Sequence, residues 1–214
     1  EVFYMLHLSA DLAVIGLGPA GLAACISAAE EGLSVLGFEK ASVVGGAANM
    51  GGGPFGVESR IQKQAMCNFT KEDAFREFMD YTHWKCNARL VRDYFWKSGD
   101  TINWLEDMRV EFAGIGKFCV GSWETWHKVQ PEGGGPSGMR AAATMTKVMH
   151  RRALDLGVKV YTGTSVTKLL KENGKIAGLT AQNENDEITV SASAIIIATG
   201  GFGDNPDMIK SECG

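Results

Sequence analysis

The 214-residue sequence predicts an α/β fold: a parallel sheet with an attached β-meander and an inserted helical segment. Three observations predict it. Residues 11–38 hold two short apolar runs separated by a glycine-rich turn and an Ala-rich stretch of helical length, the pattern of one βαβ unit. Residues 70–108 repeat apolar side chains at helical spacing. Residues 158–198 hold several short strand-like runs, the last of them (194–198) β-branched and apolar, and are broken by Asn173-Gly174, the pair a type I′ hairpin turn needs. At about 150 residues per domain, the length corresponds to one domain, or to one domain with an inserted lobe.

In chain order, residues 11–15 read as a buried strand, 16–21 as a tight turn and 22–31 as a helix that Gly32 stops. Residues 33–38 form a second buried strand parallel to the first. Six of the twelve residues 45–56 are glycine, too many for a regular element, and their apolar setting argues against a flexible linker. A helix follows, because Thr70 and Asp73 fit a capping box and Phe75, Phe78, Met79 and Thr82 share a face. Val91, Tyr94 and Phe95 continue the helical pattern. After Gly99-Asp100, Ile102, Leu105 and Met108 predict a separate helical stretch, 110–112 turns extended, and 113–136 is irregular. Ser137 is placed to cap a long helix carrying Met139, Ala142, Thr146, Met149 and Ala153 on one face, closed by Gly157. Residues 158–161, 166–171, 176–181 and 188–190 read as strands, and 194–198 as a further buried strand ending in a sharp turn at Thr199-Gly200-Gly201. The parallel-sheet core is therefore expected over about 10–57 and 137–205, with the helical insertion over about 58–136.

Composition excludes several classes. The formal charge is −4, and Lys and Arg gather into no stripe, so neither a nucleic-acid groove nor an anionic membrane surface is expected. Residues 12–29 carry no charge, but Gly16, Gly18, Pro19 and Gly21 interrupt them, so no membrane span is expected. Five scattered Cys with no Cys-x-x-Cys pair point away from a disulfide framework or zinc site and toward a reducing cytoplasm.

Gly16, Gly18 and Gly21 make Gly-x-Gly-x-x-Gly between a strand and a helix, and Glu39 closes the second strand 21 residues after Gly18. Each position has a physical task. Gly16 allows the turn, Gly18 lets the backbone approach a pyrophosphate, and Gly21 lets the helix pack on the strand. Pro19 and Ala20 open the helix, whose N-terminus offers free N–H groups to phosphates. Glu39 accepts hydrogen bonds from ribose hydroxyls and repels a 2′-phosphate, so FAD or NAD fits better than NADP. The second glycine loop favours FAD, whose ribityl and ring portions need following beyond the ADP half. An NAD-binding half of a dehydrogenase, or a non-catalytic FAD- or ADP-binding fragment, are the competing readings.

Four segments resemble the fumarate reductase and succinate dehydrogenase flavoproteins, including soluble flavocytochrome-type and steroid-dehydrogenase relatives. They are Val14-Ile15-Gly16-Leu17-Gly18-Pro19-Ala20-Gly21, the strand end Phe38-Glu39-Lys40, the loop from Gly45-Gly46 to Gly51-Gly52-Gly53, and Ile197-Ala198-Thr199-Gly200-Gly201-Phe202-Gly203-Asp204-Asn205. The resemblance implies a glutathione-reductase-type, Rossmann-like FAD-binding domain. Its FAD site would take in Gly16, Gly18, Pro19, Ala20, Gly21, Glu39, Lys40, Gly45, Gly46, Ala47, Asn49, Gly51, Gly52, Gly53, Ala198, Thr199, Gly200 and Gly201, with the Val166 backbone beside the adenine.

The resemblance also implies hydride transfer between flavin N5 and an activated carbon–carbon bond of a dicarboxylate-like small molecule. Two departures carry expectations. Members with covalent flavin have a His where this chain has Gly45-Gly46, so FAD is expected to be noncovalent, and Ala47, Ala48 and Asn49 replace hydroxyl residues common in that loop. Members also continue past Thr-Gly-Gly into a capping domain that holds the proton-donating Arg and the substrate clamp. This chain is therefore expected to be the N-terminal FAD-binding portion of a larger enzyme, to contain no catalytic residue, and to self-associate through the face its remainder would cover.

His7, His83, His127 and His150 lack metal-ligand spacing and are expected to make ordinary polar contacts. Trp123, Trp126 and His127 either pack a lobe or line a ligand face, packing being the commoner use. Cys25 is expected to be a small buried hydrophobe.

Overall fold

The computed structural model describes residues 4–213. These fall into two compact units: one holds the described chain up to Gly46 and from Met149 onward, the other is Ala47–Val148. The first is a six-stranded sheet. Its strands are β1 Tyr4–Ile15, β2 Val35–Phe38, β5 Lys159–Tyr161, β6 Ser165–Glu172, β7 Lys175–Gln182 and β8 Asp186–Ile197, in the order β5-β2-β1-β8-β7-β6. β5, β2, β1 and β8 run parallel, while β8, β7 and β6 form the expected antiparallel meander.

The chain enters this sheet as its sequence dictates. Residues of β2 are buried on both faces, as the parallel arrangement requires, and Phe38 stacks on Tyr161 at 5.3 Å between ring centroids. Leu33 is exposed and precedes the strand, because Ser34 instead donates through N–H and hydroxyl to the Asp11 carboxylate, 2.8 and 2.6 Å, and fixes where β2 starts. These bonds hold the Asp11 carboxyl below its ordinary pKa. The helix α1, Pro19–Glu30, begins three residues before its expected start, so Gly21 lies inside it. Asn173 and Gly174 take φ 50° and 79°, the left-handed pair expected at the β6–β7 turn.

Two expectations for the C-terminal strands are corrected. Residues 188–190 and 194–197 belong to one strand, β8, which pairs with β1 from Asp186 to Ile197 in unbroken register, and Ala198 follows it. Its last part is also not buried. Ile196 and Ile197 are 39% and 62% exposed, because β7 accompanies β8 only from Glu187 to Ser191. A further helix, α6 Pro206–Cys213, follows.

The second unit contains α2 Arg60–Gln64, α3 Lys71–Tyr81, α4 Ala88–Asp107 and a hairpin of β3 Phe112–Lys117 with β4 Glu124–Val129. Thr70 and Asp73 form the expected capping box on α3, and Ser59 with Gln62 forms a second on α2. α4 is continuous through Gly99, where a break was expected. A Cβ there would lie 2.4 Å from the Val57 carbonyl, so this glycine serves close packing and does not end the helix. The region 113–136 contains the β3–β4 hairpin in place of irregular chain. Its glycines and register shifts hide the two-residue alternation that marks a strand. Helix α5, Ala142–Asp155, starts later than Ser137 suggested, leaving Met139 exposed ahead of it. No helix among the described residues is long and apolar enough to cross a membrane.

Candidate functional site

The fingerprint turn sits at the carboxyl end of β1. Gly16 takes φ 86°, and a Cβ on it would meet the Ala198 carbonyl at 2.8 Å and Thr199 Cα at 2.9 Å. Gly21 is tighter still, since its Cβ would fall 1.9 Å from the Gly16 carbonyl oxygen. Protein packing therefore accounts for both. Gly18 differs: it has an ordinary φ of −67°, and a Cβ built on it would meet nothing within 4 Å.

Around Gly18 the chain leaves open space and donors. Gly18 is the N-cap of α1, no side chain caps the helix, Pro19 fills its first turn, and no acidic residue lies there. The first N–H groups of an uncapped helix, with the positive end of its dipole, make an anion site. Gly46, at φ 51°, comes beside this turn, its Cβ position lying 3.6 Å from Gly18 Cα, and Gly45 N–H donates to the Leu17 carbonyl at 2.8 Å.

Glu39 is buried at the end of β2. Its Oε2 accepts from Leu17 N–H and its Oε1 from Ala41 N–H, both at 2.9 Å. One carboxylate thus ties the fingerprint turn to the strand end. Two carboxylate oxygens offer about four acceptor sites, so capacity remains for hydroxyl donors. Glu39 N–H also donates to Tyr161 O, and Thr164 N–H to Glu39 O, both at 2.9 Å, docking the β5–β6 connection against the acidic residue. That docking puts Val166, two residues into β6, in the same neighbourhood, half-buried on the sheet core. Lys40 is exposed.

On the other side of the turn, Ala198 N–H donates to the Ile15 carbonyl at 2.8 Å, so the start of the Thr-Gly-Gly segment lies against Gly16. Thr199, Gly200 and Gly201 are exposed, with Gly200 at φ 80°. The structure accordingly brings together Gly16, Gly18, Pro19, Ala20, Gly21, Glu39, Gly45, Gly46 and Ala198 around one end of the sheet. An uncapped helix start, an unfilled Cβ position and a fixed carboxylate suit a diphosphate joined to a ribose.

Residues 47–53 belong to the second unit, and there the chain itself accounts for two of its glycines. A Cβ at Gly52 would meet Trp126 Cζ2 at 2.5 Å, and one at Gly53 would lie 1.9 Å from the His127 carbonyl. Gly51 accepts from Ala142 N–H at 3.0 Å, and Asn49 Oδ1 accepts from the Thr146 hydroxyl at 2.7 Å. Ala47 and Asn49 lie in the 3-10 turn Gly46–Met50.

His127 does not line a ligand face. It is fully buried, with Nε2 2.6 Å from Ser59 Oγ and Nδ1 3.3 Å from the Thr125 carbonyl. The Thr125 carbonyl can only accept, so in the neutral ring the proton sits on Nδ1 and the Ser59 hydroxyl donates to Nε2 while its oxygen accepts from Gln62 N–H. Desolvation pushes the His127 pKa down to about 4. Sequence reasoning passed over this network because Ser59 and Gln62 gave no sign of their distant partner. Trp123 stacks on Phe69 at 4.7 Å and donates to Glu77, a packing role. Cys25 is buried, its thiol pKa pushed up to about 12 by desolvation. Among the described residues no cluster of His, Cys, Asp or Glu could hold a metal ion.

A family model described as "FAD binding domain" matches residues 11–213. The vinyl phenol reductase of Lactiplantibacillus plantarum is 34% identical over 95% of this chain and 40% of its own length. The NADH:fumarate oxidoreductase of Klebsiella pneumoniae is 31% identical over 94% of this chain and 21% of its own length. Among solved structures, the 3-ketosteroid-Δ4-(5α)-dehydrogenase of Rhodococcus jostii RHA1 superposes with a TM-score of 0.81 at 27% identity, over 95% of this chain and 48% of that one. This chain thus spans less than half the length of each. Glycine fingerprint, fixed acidic residue, sheet order and family match agree, and the chain belongs to the FAD binding domain family.

Proposed function

We propose that this chain is the FAD-holding portion of a flavin-dependent oxidoreductase that acts on an activated carbon–carbon bond. One observation carries the cofactor placement: Gly18 is the fingerprint glycine that packing within the chain does not require, so its bare backbone is open to a ligand. The N–H groups at the start of α1 would take the pyrophosphate, with Gly45 and Gly46 beside them. Glu39 would accept from the adenosine ribose hydroxyls while keeping its bonds to Leu17 and Ala41. Lys40 and the Val166 backbone would flank the ribose and adenine. Ala198, Thr199, Gly200 and Gly201 would follow the cofactor on the β8 side, and Ala47, Asn49, Gly51, Gly52 and Gly53 would supply backbone toward its flavin half.

The bound flavin supplies the hydride chemistry at N5; the chain's contribution is to bind and orient it. Attachment is noncovalent, because residues 41–53 contain no His, Cys or Tyr to form a bond. The relatives' names, a vinyl phenol and a fumarate reductase, support an unsaturated small molecule as substrate, dicarboxylate-like in the second case. The substrate-clamping and proton-donating residues would lie in a capping portion outside these 214 residues, and the exposed face around Ile196, Ile197 and Phe202 would drive self-association. Five unpaired Cys suit a reducing cytoplasm.

The first test is a visible absorption spectrum of the purified chain, then denaturation and chromatography of what is released. Flavin bands with free FAD in the supernatant are the expected result. A colourless protein that takes up NAD but not FAD would replace this reading with that of an NAD-binding half. Turnover of fumarate with a reduced donor by these residues alone would remove the claim that the catalytic groups lie elsewhere.

A further inference from the structure

Residues 52–59 lie along β4, and one buried side chain of that strand governs them. The carbonyls of Gly52 and Pro54 accept from Val129 and His127 N–H, and Gly56 N–H donates to the Thr125 carbonyl, at 2.9–3.0 Å. His127 meets the segment further along as well. Its carbonyl oxygen lies 1.9 Å from where a Cβ on Gly53 would sit, and its ring Cε1 3.0 Å from the Cβ position of Gly56. Its Nε2 then takes the Ser59 hydroxyl at 2.6 Å, where the segment turns into α2. Both side chains are fully buried.

A bond of this kind fixes a position more than it adds stability. Buried polar partners contribute little net free energy over an apolar pair of the same shape, but each is costly to leave unpaired, so the pair favours one register of the segment on β4. The segment needs such a constraint, because Gly52, Gly53 and Gly56 carry no side chain to pack and glycine loses the most conformational freedom on ordering. Its start is held separately: the Met50 and Gly51 carbonyls accept from Arg140 and Ala142 N–H at 3.2 and 3.0 Å. From Met50 to Gly52 these bonds engage carbonyls. The N–H groups of Gly52 and Gly53 find no acceptor among the described residues, which leaves two consecutive donors for a ligand.

We infer that His127 is a positioning residue for the flavin half of FAD: through its bond to Ser59 and its contacts with residues 53–56 it holds the backbone of Gly52 and Gly53 in the conformation the cofactor meets. The inference rests on the placement of residues 51–53 at the flavin half and names what keeps them there. Backbone already ordered in the folded chain does not have to be ordered at binding, so the gain shows in affinity. The ADP half, which the start of α1 and Glu39 would hold, gains nothing from it.

Calorimetric titration with FAD and with ADP tests it, together with the visible circular dichroism of the bound flavin. The wild-type chain should bind FAD more tightly than ADP and give the flavin an induced signal. Ser59→Ala removes the hydroxyl; His127→Phe removes the ring acceptor and leaves the Ser59 cap on α2 in place. With a melting curve reporting that the fold is kept, each should bring FAD affinity down to that of ADP, abolish the induced signal and leave ADP binding unchanged. Ser59→Thr, which keeps a hydroxyl, should retain both the FAD advantage and the signal. Hydrogen exchange needs no variant: FAD should slow the His127, Val129 and Gly56 amides more than ADP does at the same multiple of its dissociation constant, because coupling is reciprocal. Variants that weaken FAD and ADP alike, or that keep the FAD advantage, would overturn the positioning role, and so would equal protection by the two ligands. A wild-type chain with no FAD advantage and no induced signal would overturn the placement of residues 51–53 at the flavin half, and this inference with it.

Discussion

Gly18 and Gly21 stand one helical turn apart, and substituting them should separate binding from folding. Gly18 already has φ −67° and ψ −176°, ordinary for any residue, with open space where Cβ would go. Gly18→Ala should leave the melting temperature unchanged and weaken FAD binding at least tenfold, read by fluorescence titration. Gly21→Ala would drive Cβ into the Gly16 carbonyl at 1.9 Å and should destabilise the fold by about 2 kcal/mol or more, read by urea melts. Glu39→Ala removes the acceptor of two backbone N–H groups as well as the ribose acceptor. Hydrogen bonds to a charged group contribute about 1.5–3 kcal/mol each, so FAD affinity should fall by tenfold or more in calorimetric titration. The glycine spacing and the acid were legible in the sequence. Which glycine answers to the chain and which to a ligand was not, since the atoms that decide it come from Ala198 and Thr199 at the far end.

At the scale of elements, legibility followed locality. The α3 capping box and the Asn173-Gly174 turn are set by neighbouring residues and are readable. The continuity of α4 through Gly99 and the position of residues 52–59 depend on partners far along the chain. That segment is held by β4: His127 N–H donates to Pro54 O, Val129 N–H to Gly52 O and Gly56 N–H to Thr125 O, at 2.9–3.0 Å. Its far end is closed by Ser59 on His127. The His127 ring is neutral, its pKa of about 4 lying below the ordinary 6.5 because of burial. The unfolded chain therefore takes up a proton first as pH falls. The stability this ring contributes is complete above about pH 6.5 and is lost as pH drops through about 4. Urea melts at intervals between pH 7 and 4 should show stability declining with acid, and His127→Gln, which has no group to titrate, should decline less steeply over that window. Equal slopes would mean that the ring is not buried neutral.

For the whole molecule, ligand linkage shows which half of the cofactor the chain holds. A ligand that binds only the folded state at a hundredfold over its dissociation constant stabilises by about 2.7 kcal/mol. For a chain of this size each kcal/mol raises the melting temperature by about 2–4 °C. Saturating FAD should therefore raise it by roughly 5–10 °C. The groups with the clearest fit, the start of α1, Gly18 and Glu39, all serve the ADP half. ADP at the same multiple of its own dissociation constant should give a comparable shift, at a total concentration not far above that of FAD. FMN lacks the adenosine and should need a much higher concentration for the same effect. Scanning calorimetry with the three ligands reads this directly. An FMN shift equal to that of FAD at equal concentration would move the principal binding contacts to the flavin half, and so away from the fingerprint turn toward residues 47–53.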